Sequence, residues 1–247
     1  MSSQIVTVAG IGADGWPGLP APSQAAIEQA DVLIGGSRQL ALVPDTVTAG
    51  RVKLPSPLLP GLPGLIDEHA NATIVFLASG DPMFYGIGAT LVRLLGAERV
   101  RVLPHPSSVS LAAARLGWPL DDVDITSLVG RPPERLHPLL QPGRRVLALI
   151  AESTAAADIR RLLEERGYAS SPVTLLADLG GAEEVVEPIE PGGGKPHSRL
   201  AILAIECRPG PGTQPLPRTP GLPDDAFDHE GQITKREVRA LALAALA

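Results

Sequence analysis

The stretch from Ala72 to Leu95, ATIVFLASGDPMFYGIGATLVRLL, limits what this chain can fold into more than any other. The residues from Ile74 to Ser79 are all apolar or small, and they run straight into Gly80-Asp81-Pro82. Tyr85-Gly86 then opens a helical pattern with Ile87, Leu91, Leu94 and Leu95 on one face. A continuous apolar run closed by turn residues and followed by a helix predicts a buried parallel strand feeding a crossover helix. Open α/β sheets bind ligands at the carboxyl ends of their strands, where this loop falls. Glycine lets the backbone approach a ligand closely, and Asp81 adds a fixed negative charge. A plain strand-turn-helix corner, with Asp81-Pro82 starting the helix, would read the same, so the loop alone leaves both readings open.

The N-terminus offers a second such corner. Gln4 to Ala9 predicts a strand, the run Gly10-Ile11-Gly12-Ala13-Asp14-Gly15 a loop, Pro22 to Ala30 a helix and Asp31 to Gly35 another strand. The glycines satisfy G-x-G-x-x-G. A dinucleotide, however, needs a helix N-terminus directly behind them, and Trp16-Pro17-Gly18-Leu19-Pro20 follows instead, so NAD(P) is rejected.

Further along, Arg38 to Val43 reads as a brief helix and Pro44 to Pro63 as an irregular surface connection. Leu62, Leu65, Ile66 and His69 have helical spacing, with His69 at an exposed helix end. Arg99 to Leu103 is a strand. Pro104-His105-Pro106-Ser107-Ser108 leads into a helix faced by Val109, Ala112, Ala113 and Leu116. N-capping accounts for one serine, while two hydroxyls and free helix N–H groups would also suit a polar ligand; His105 lies in the same loop.

Gly117-Trp118-Pro119-Leu120-Asp121-Asp122 breaks the pattern and marks a domain boundary. The second half restarts at Ile125. It carries strands at Arg145–Ile150, Val173–Ala177 and Ala201–Glu206, the last after a Gly192-Gly193-Gly194 turn. A helix lined by Ile159, Leu162 and Leu163 ends at Arg166-Gly167, the glycine in the C′ place. Two α/β domains, 1–118 and 119–207, are the expected architecture. From Arg208 to Pro223 six prolines and three glycines fall in sixteen residues, so 208–232 is expected to be a linker. Thr234-Lys-Arg-Glu237 then has the form of a capping box, and Val238, Leu241, Ala242 and Ala245 continue an amphipathic helix over 233–247, as if opening a further domain.

Composition narrows the chemistry. Only 3% of residues are aromatic, so the cores must be built from Ala, Val, Leu and Ile. A formal charge of −6 without a basic block argues against a nucleic-acid partner. The single cysteine, Cys207, precludes an internal disulfide or a cysteine-based metal cluster and fits a reducing compartment. The N-terminus lacks the basic start and apolar core of a secretory signal, and no apolar run approaches membrane-spanning length, so the expectation is a soluble cytoplasmic protein without a membrane partner.

The motifs, taken in order, resemble the tetrapyrrole (corrin/porphyrin) methylase family, within it the members that methylate carbon 5 of a precorrin. The resemblance covers about residues 4 to 206. It rests on Val8-Ala-Gly10-Ile-Gly12-Ala-Asp14-Gly15, Ala30-Asp-Val-Leu-Ile-Gly-Gly36-Ser-Arg38, Ser79-Gly80-Asp81-Pro82-Met-Phe-Tyr85-Gly86, and Pro106-Ser107-Ser108 with Ala113-Ala-Arg-Leu-Gly117-Trp118-Pro119. Ser127-Leu-Val-Gly130-Arg131-Pro132 and Leu179-Gly180-Gly181-Ala-Glu-Glu184 extend it. Each motif is weak alone, and six in order are strong. A second resemblance lies in the tail, where Gly221-Leu-Pro-Asp-Asp225 through Gly231 to Arg239 is similar to the lead-in of a decarboxylating, C15-methylating domain fused to some members.

Carried over position by position, the resemblance implies S-adenosyl-L-methionine, bound folded between two α/β domains. Its contacts would fall on Gly10, Gly12, Ala13, Ser79, Gly80, Asp81, Phe84, Ser107, Ser108 and the strand end at Ile150-Ala151. It implies a precorrin acceptor, with Arg38 and Arg131 in the matching motifs for its carboxylates. It further implies methyl transfer by in-line placement without a protein nucleophile or metal, a homodimer, and a fused or associated C15-methylating, decarboxylating domain. Two positions depart from the pattern. Gly36 stands where uroporphyrinogen methylases of the family carry Asp, which argues against that substrate. Val129 replaces a histidine of the C5-methylating members, which removes whatever that side chain does there. The rival readings are diphthine synthase or a ribosomal-RNA ribose methylase on the same fold, disfavoured by the acidic balance and Gly35-Gly36-Ser37-Arg38, and a non-catalytic precorrin-binding module.

Overall fold

The structure, a computed structural model, describes residues 4–151, 154–190, 201–216 and 219–246. The Gly192-Gly193-Gly194 turn lies outside the described residues. The chain divides into two compact units, one of Met1–Gly117 with Asp178–Glu184, the other of Trp118–Ala177 with Val185–Ala247.

In the first unit, β1 (Val6–Ile11), α1 (Ala21–Glu28), β2 (Val32–Gly35), α2 (Ser37–Ala41), β3 (Gly50–Lys53), α3 (Leu58–Glu68), β4 (Ile74–Ser79), α4 (Ile87–Leu95), β5 (Val100–Leu103) and α5 (Ser108–Leu116) follow one another. The strands form one parallel sheet in the order β3-β2-β4-β1-β5. From β1 to β3 the chain moves one way across this sheet, and from β3 to β5 it moves back. A right-handed crossover must therefore put α1 and α2 on one face and α3 and α4 on the other. The cores follow suit. Ile11, Leu33, Val75 and Leu77 pack with Ile27 and Leu40 on one side. Val6, Val8, Ile34, Ile74 and Phe76 pack with Leu62, Ile66 and Leu91 on the other. Alternate residues of β4 thus enter different cores, which explains why its sequence is apolar without a break.

One expectation for this unit needs correction. Pro44 to Pro63 is not irregular, because it contains β3 and the start of α3. β3 is a four-residue edge strand paired only with β2, and Gly50, Arg51 and Lys53 are exposed. Such a strand buries too little to leave an apolar pattern. Pro60 is tolerated as the third residue of α3, where the backbone N–H has no intrahelical partner to lose.

The second unit holds β6 (Val123–Ser127), β7 (Arg145–Ile150), α6 (Thr154–Glu165), β8 (Val173–Ala177), β9 (Val185–Pro188), β10 (Ala201–Glu206) and α7 (Arg236–Ala245). Its sheet has the order β6-β7-β10-β8-β9, parallel between β6 and β7 and antiparallel elsewhere. Ala156, Ile159, Leu162 and Leu163 of α6 cover one face through Val146, Ala148, Leu175 and Leu203. As expected, α6 closes on Gly167: Tyr168 N–H bonds Leu163 O and Gly167 N–H bonds Glu164 O, the paired bonds of a Schellman motif.

The capping box at Thr234 does not form. The helix starts at Arg236 with Lys235 as its N-cap and no side-chain cap. Thr234 instead gives its carbonyl to buried Arg239, whose guanidinium also binds Leu222 O and Asp224 Oδ1 and lies 4.5 Å over the Phe227 ring. Val238, Leu241 and Leu246 of this tail segment are exposed. No helix among the described residues is long and apolar enough to cross a membrane.

Candidate functional site

The topology of the first sheet singles out one place. β1 and β4 are neighbours, yet the crossover leaving β1 runs toward β2 on one face and the crossover leaving β4 runs toward β5 on the other. Helices that diverge from adjacent strands open a crevice at the strands' carboxyl ends, the usual ligand position in such sheets. At those ends stand Gly10-Ile11-Gly12 and Ser79-Gly80-Asp81, with the loop after β5 beside them.

The three loops touch through glycine. Gly10 lies so close to the next strand that a Cβ on it would sit 2.1 Å from Gly80 O and 2.9 Å from His105 N. Gly80 has φ +59 and bonds Ile11 O through its amide at 3.0 Å, a turn that a side chain would strain. Gly12 lies against the His105 ring, with Nε2 2.6 Å from where its Cβ would be. Gly10, Gly12, Ala13, Ser79, Gly80, Asp81, Phe84, Ser107 and Ser108 therefore all lie on the β1, β4 and β5 loops at the carboxyl edge of one sheet.

Asp81 is half-buried, and its Oδ1 accepts the Met83 N–H at 2.8 Å. The loop turns sharply here: Tyr85 has φ +53 and its ring meets Phe84 edge-on at 4.8 Å. A non-glycine residue in the left-handed region marks a position held by its surroundings. Met83 and Tyr85 are exposed. Ser107 is the N-cap of α5, its Oγ accepting the Ser110 N–H at 3.2 Å, whereas Ser108 is exposed. Ser107→Ala is expected to cost about 1 kcal/mol, read as a melting point lower by roughly 2–4 °C in the ligand-free protein.

His105 is buried at 6% exposure. Its Nε2 lies 3.2 Å from Asp14 Oδ1, within ion-pair reach, yet the two are not aligned as a hydrogen bond. Asp14 Oδ1 and His105 Nδ1 are both buried without a hydrogen-bond partner. The sequence offers His105 as a loop residue but gives no reason to join it to Asp14.

A further strip of chain completes the edge. Asp178–Glu184, the loop of the β8–β9 hairpin, belongs to the first unit. Arg38 Nη2 meets Asp178 Oδ1 at 3.2 Å, both side chains about a third exposed, and Asp178 has φ +47. Glu184 accepts from Arg115 through both oxygens and from the Gly180 N–H at 2.7 Å. The Arg115 guanidinium and the Gly180 amide hold the Glu184 carboxyl below its usual range. Nothing in the sequence flags Asp178, whose partner is distant along the chain. Of the remaining candidates, Ile150 and Arg131 belong to the second unit. The Ile150 side chain is fully buried in that unit's core, which leaves only its backbone for a ligand, and Arg131 is exposed on the turn after β6.

Residues 6–190 match the family of tetrapyrrole (corrin/porphyrin) methylases. The chain belongs to that family. Among relatives of this tetrapyrrole methylase is the precorrin-6Y C(5,15)-methyltransferase [decarboxylating] of a Sinorhizobium species, 42% identical over 245 residues, which cover 98% of this chain and 59% of the relative. The protein of that name from Mycobacterium tuberculosis is 40% identical, over 98% of this chain and 61% of the relative. The chain thus spans about three-fifths of the length of these curated relatives. A solved precorrin-6Y methylase of cobalamin biosynthesis from Archaeoglobus fulgidus superposes with a TM-score of 0.65 at 24% identity, covering 84% of this chain and 99% of that one, and so shares the methylase fold.

Proposed function

We propose that this tetrapyrrole methylase transfers a methyl group from S-adenosyl-L-methionine to ring carbon 5 of a precorrin. The observation that carries the reading is the meeting of three strand ends at the switch point of the first sheet, built from the family's own motifs. The residues there fit the cofactor. Asp81 offers negative charge to a sulfonium and an ammonium, and Gly10 and Gly12 let the three loops pack closely together at the strand ends. When bound, the cofactor supplies an electrophilic methyl on its sulfur. What the chain contributes is placement: Gly10, Gly12 and Ala13 on one loop, Ser79, Gly80, Asp81 and Phe84 on the next, and Ser107 and Ser108 on the third. Holding donor and acceptor in line removes much of the entropic barrier, and no protein nucleophile is required. Arg38 and Arg131 are assigned to the acceptor's carboxylates.

Carbon 5 is supported by the two long relatives, named for methylation at positions 5 and 15, and by a Salmonella typhimurium cobalt-precorrin-7 C(5)-methyltransferase, 39% identical over 127 residues and 51% of this chain. The segment from 233 onward is assigned to the start of the C15-methylating, decarboxylating part. The test is calorimetric titration with S-adenosylhomocysteine, followed by mass spectrometry of the reduced cobalamin precursor after incubation with the cofactor. One site per chain and one added methyl are expected; no heat and no thermal shift would sink the reading. Asp81→Ala should weaken S-adenosylhomocysteine about tenfold or more, the worth of one charge-assisted contact. Unchanged affinity would remove Asp81 from the site.

A further inference from the structure

The switch-point crevice accounts for the cofactor loops, and on the same edge of the sheet stand Arg38, assigned above to the acceptor, and a second cation, Lys53, that has no role so far. Arg51 of β3 turns its guanidinium to Leu40 O and Pro44 O at 2.9 Å each, on the side of the sheet covered by α2. Side chains alternate along a strand, so Lys53 points to that same side at the carboxyl end of β3. Lys53 is the register partner of Gly35, three residues before Arg38 on α2. It is exposed, and among the described residues its ammonium has no hydrogen-bond or ion-pair partner. Arg38 in turn has one polar side-chain partner there, a single contact from Nη2 to Asp178 Oδ1. A guanidinium carries five donors in a planar fork, so the single contact with Asp178 uses little of it and can be exchanged for an incoming carboxylate. The other two guanidinium groups discussed for this unit are consumed, Arg115 by Glu184 and Arg51 by carbonyls and Asp45.

We propose that Arg38 and Lys53 form a two-cation seat for neighbouring peripheral carboxylates of the tetrapyrrole, with Asp178 as the resident carboxylate that holds the Arg38 fork in place until substrate arrives. The seat rests on the methylase reading and adds to it Lys53 as a specificity residue and Asp178 as a positioning residue. The residues around it explain the arrangement. A free arginine on an open edge loses its orientation, and an ion pair about a third exposed fixes it at little net cost. Exchange of one carboxylate for another keeps the charge balance, while Lys53 adds the attraction that favours substrate over Asp178.

Fluorescence titration with coproporphyrin III, a tetracarboxylate, measures the seat, and calorimetry with S-adenosylhomocysteine measures the cofactor loops in the same preparations. Arg38→Gln and Lys53→Gln should each weaken the porphyrin about tenfold. The double variant should bind it less tightly still and with a shallower dependence on salt. S-adenosylhomocysteine affinity should stay at the wild-type value in all three. Asp178→Asn, which removes a competing negative charge, should tighten the porphyrin several-fold. If both single variants bind porphyrin as the wild type does, the seat is refuted and Lys53 serves only to charge an edge strand against pairing. Weaker porphyrin binding in Asp178→Asn would overturn the exchange of carboxylates. If the wild type fails to bind S-adenosylhomocysteine, the methylase reading falls, and the seat stands or falls on the porphyrin titrations alone.

Discussion

Gly10→Ala is expected to cost about 3 kcal/mol or more and to abolish S-adenosylhomocysteine binding. The added methyl would lie 2.1 Å from Gly80 O and 2.9 Å from both His105 N and its Cβ. Backbone carbonyl and amide cannot swing aside as a long side chain can. β1 is also paired on both flanks, with β4 and β5, so it cannot retreat without breaking a ladder. Relief must come from separating the three loops, whose close packing is the geometry the proposed cofactor site is built on. A melting point lower by roughly 6–12 °C follows for a chain of this size. Gly64→Ala is the matched control. Gly64 lies exposed in α3, where a Cβ meets nothing within 4 Å. There the same substitution should gain about 0.4–1 kcal/mol by restricting the unfolded chain. Equal effects at the two positions would show that the close approach at Gly10 is unimportant.

Phe76→Ala is expected to cost about 3–5 kcal/mol, since it removes the largest side chain of its core and leaves a cavity. Phe76 is fully buried in β4, the middle strand of five, and packs with Val8, Ile34, Leu62, Ile66 and Leu91. These neighbours come from two flanking strands and both helices on that face, so the gap cannot close by the movement of one element. Urea unfolding should show a lower midpoint with the slope unchanged, because the surface exposed on unfolding is nearly the same. Ile5→Ala, at a position 60% exposed, should move the midpoint little. A cost below 1 kcal/mol at Phe76 would mean that the core collapses around the gap.

Phe76 and the loop that Gly10 abuts are both legible in the amino-acid sequence, and for one reason. A strand buried on two faces has to be apolar throughout, so Ile74–Ser79 declares itself and its carboxyl end locates Gly80 and Asp81. The features that leave no such mark are short, exposed or dependent on distant partners. β3 is four residues long with one half-buried side chain, Val52, so its alternation is too brief to read. Thr234 has the spacing of a cap, yet Arg239 takes its carbonyl and the helix begins two residues later. His105 and Asp14 lie on loops from opposite ends of the first unit's sequence, and only the β1–β5 pairing brings them together. Asp178 follows a strand of the second unit but gives its carboxylate to Arg38 in the first.

That last arrangement bears on how the molecule is made. The first unit takes its final seven residues, 178–184, from a hairpin loop encoded long after Gly117. No single cut in the polypeptide frees that unit whole, and a fragment ending at Gly117 would keep Arg38 and Arg115 while lacking the carboxylates of Asp178 and Glu184 that neutralise them. On the ribosome the five-stranded sheet can form early, but this edge of the unit stays unfinished until Glu184 has emerged. The pairing of Arg38 and Arg115 with their carboxylates is therefore a late step of synthesis, and it waits on the strands β8 and β9 that carry the loop.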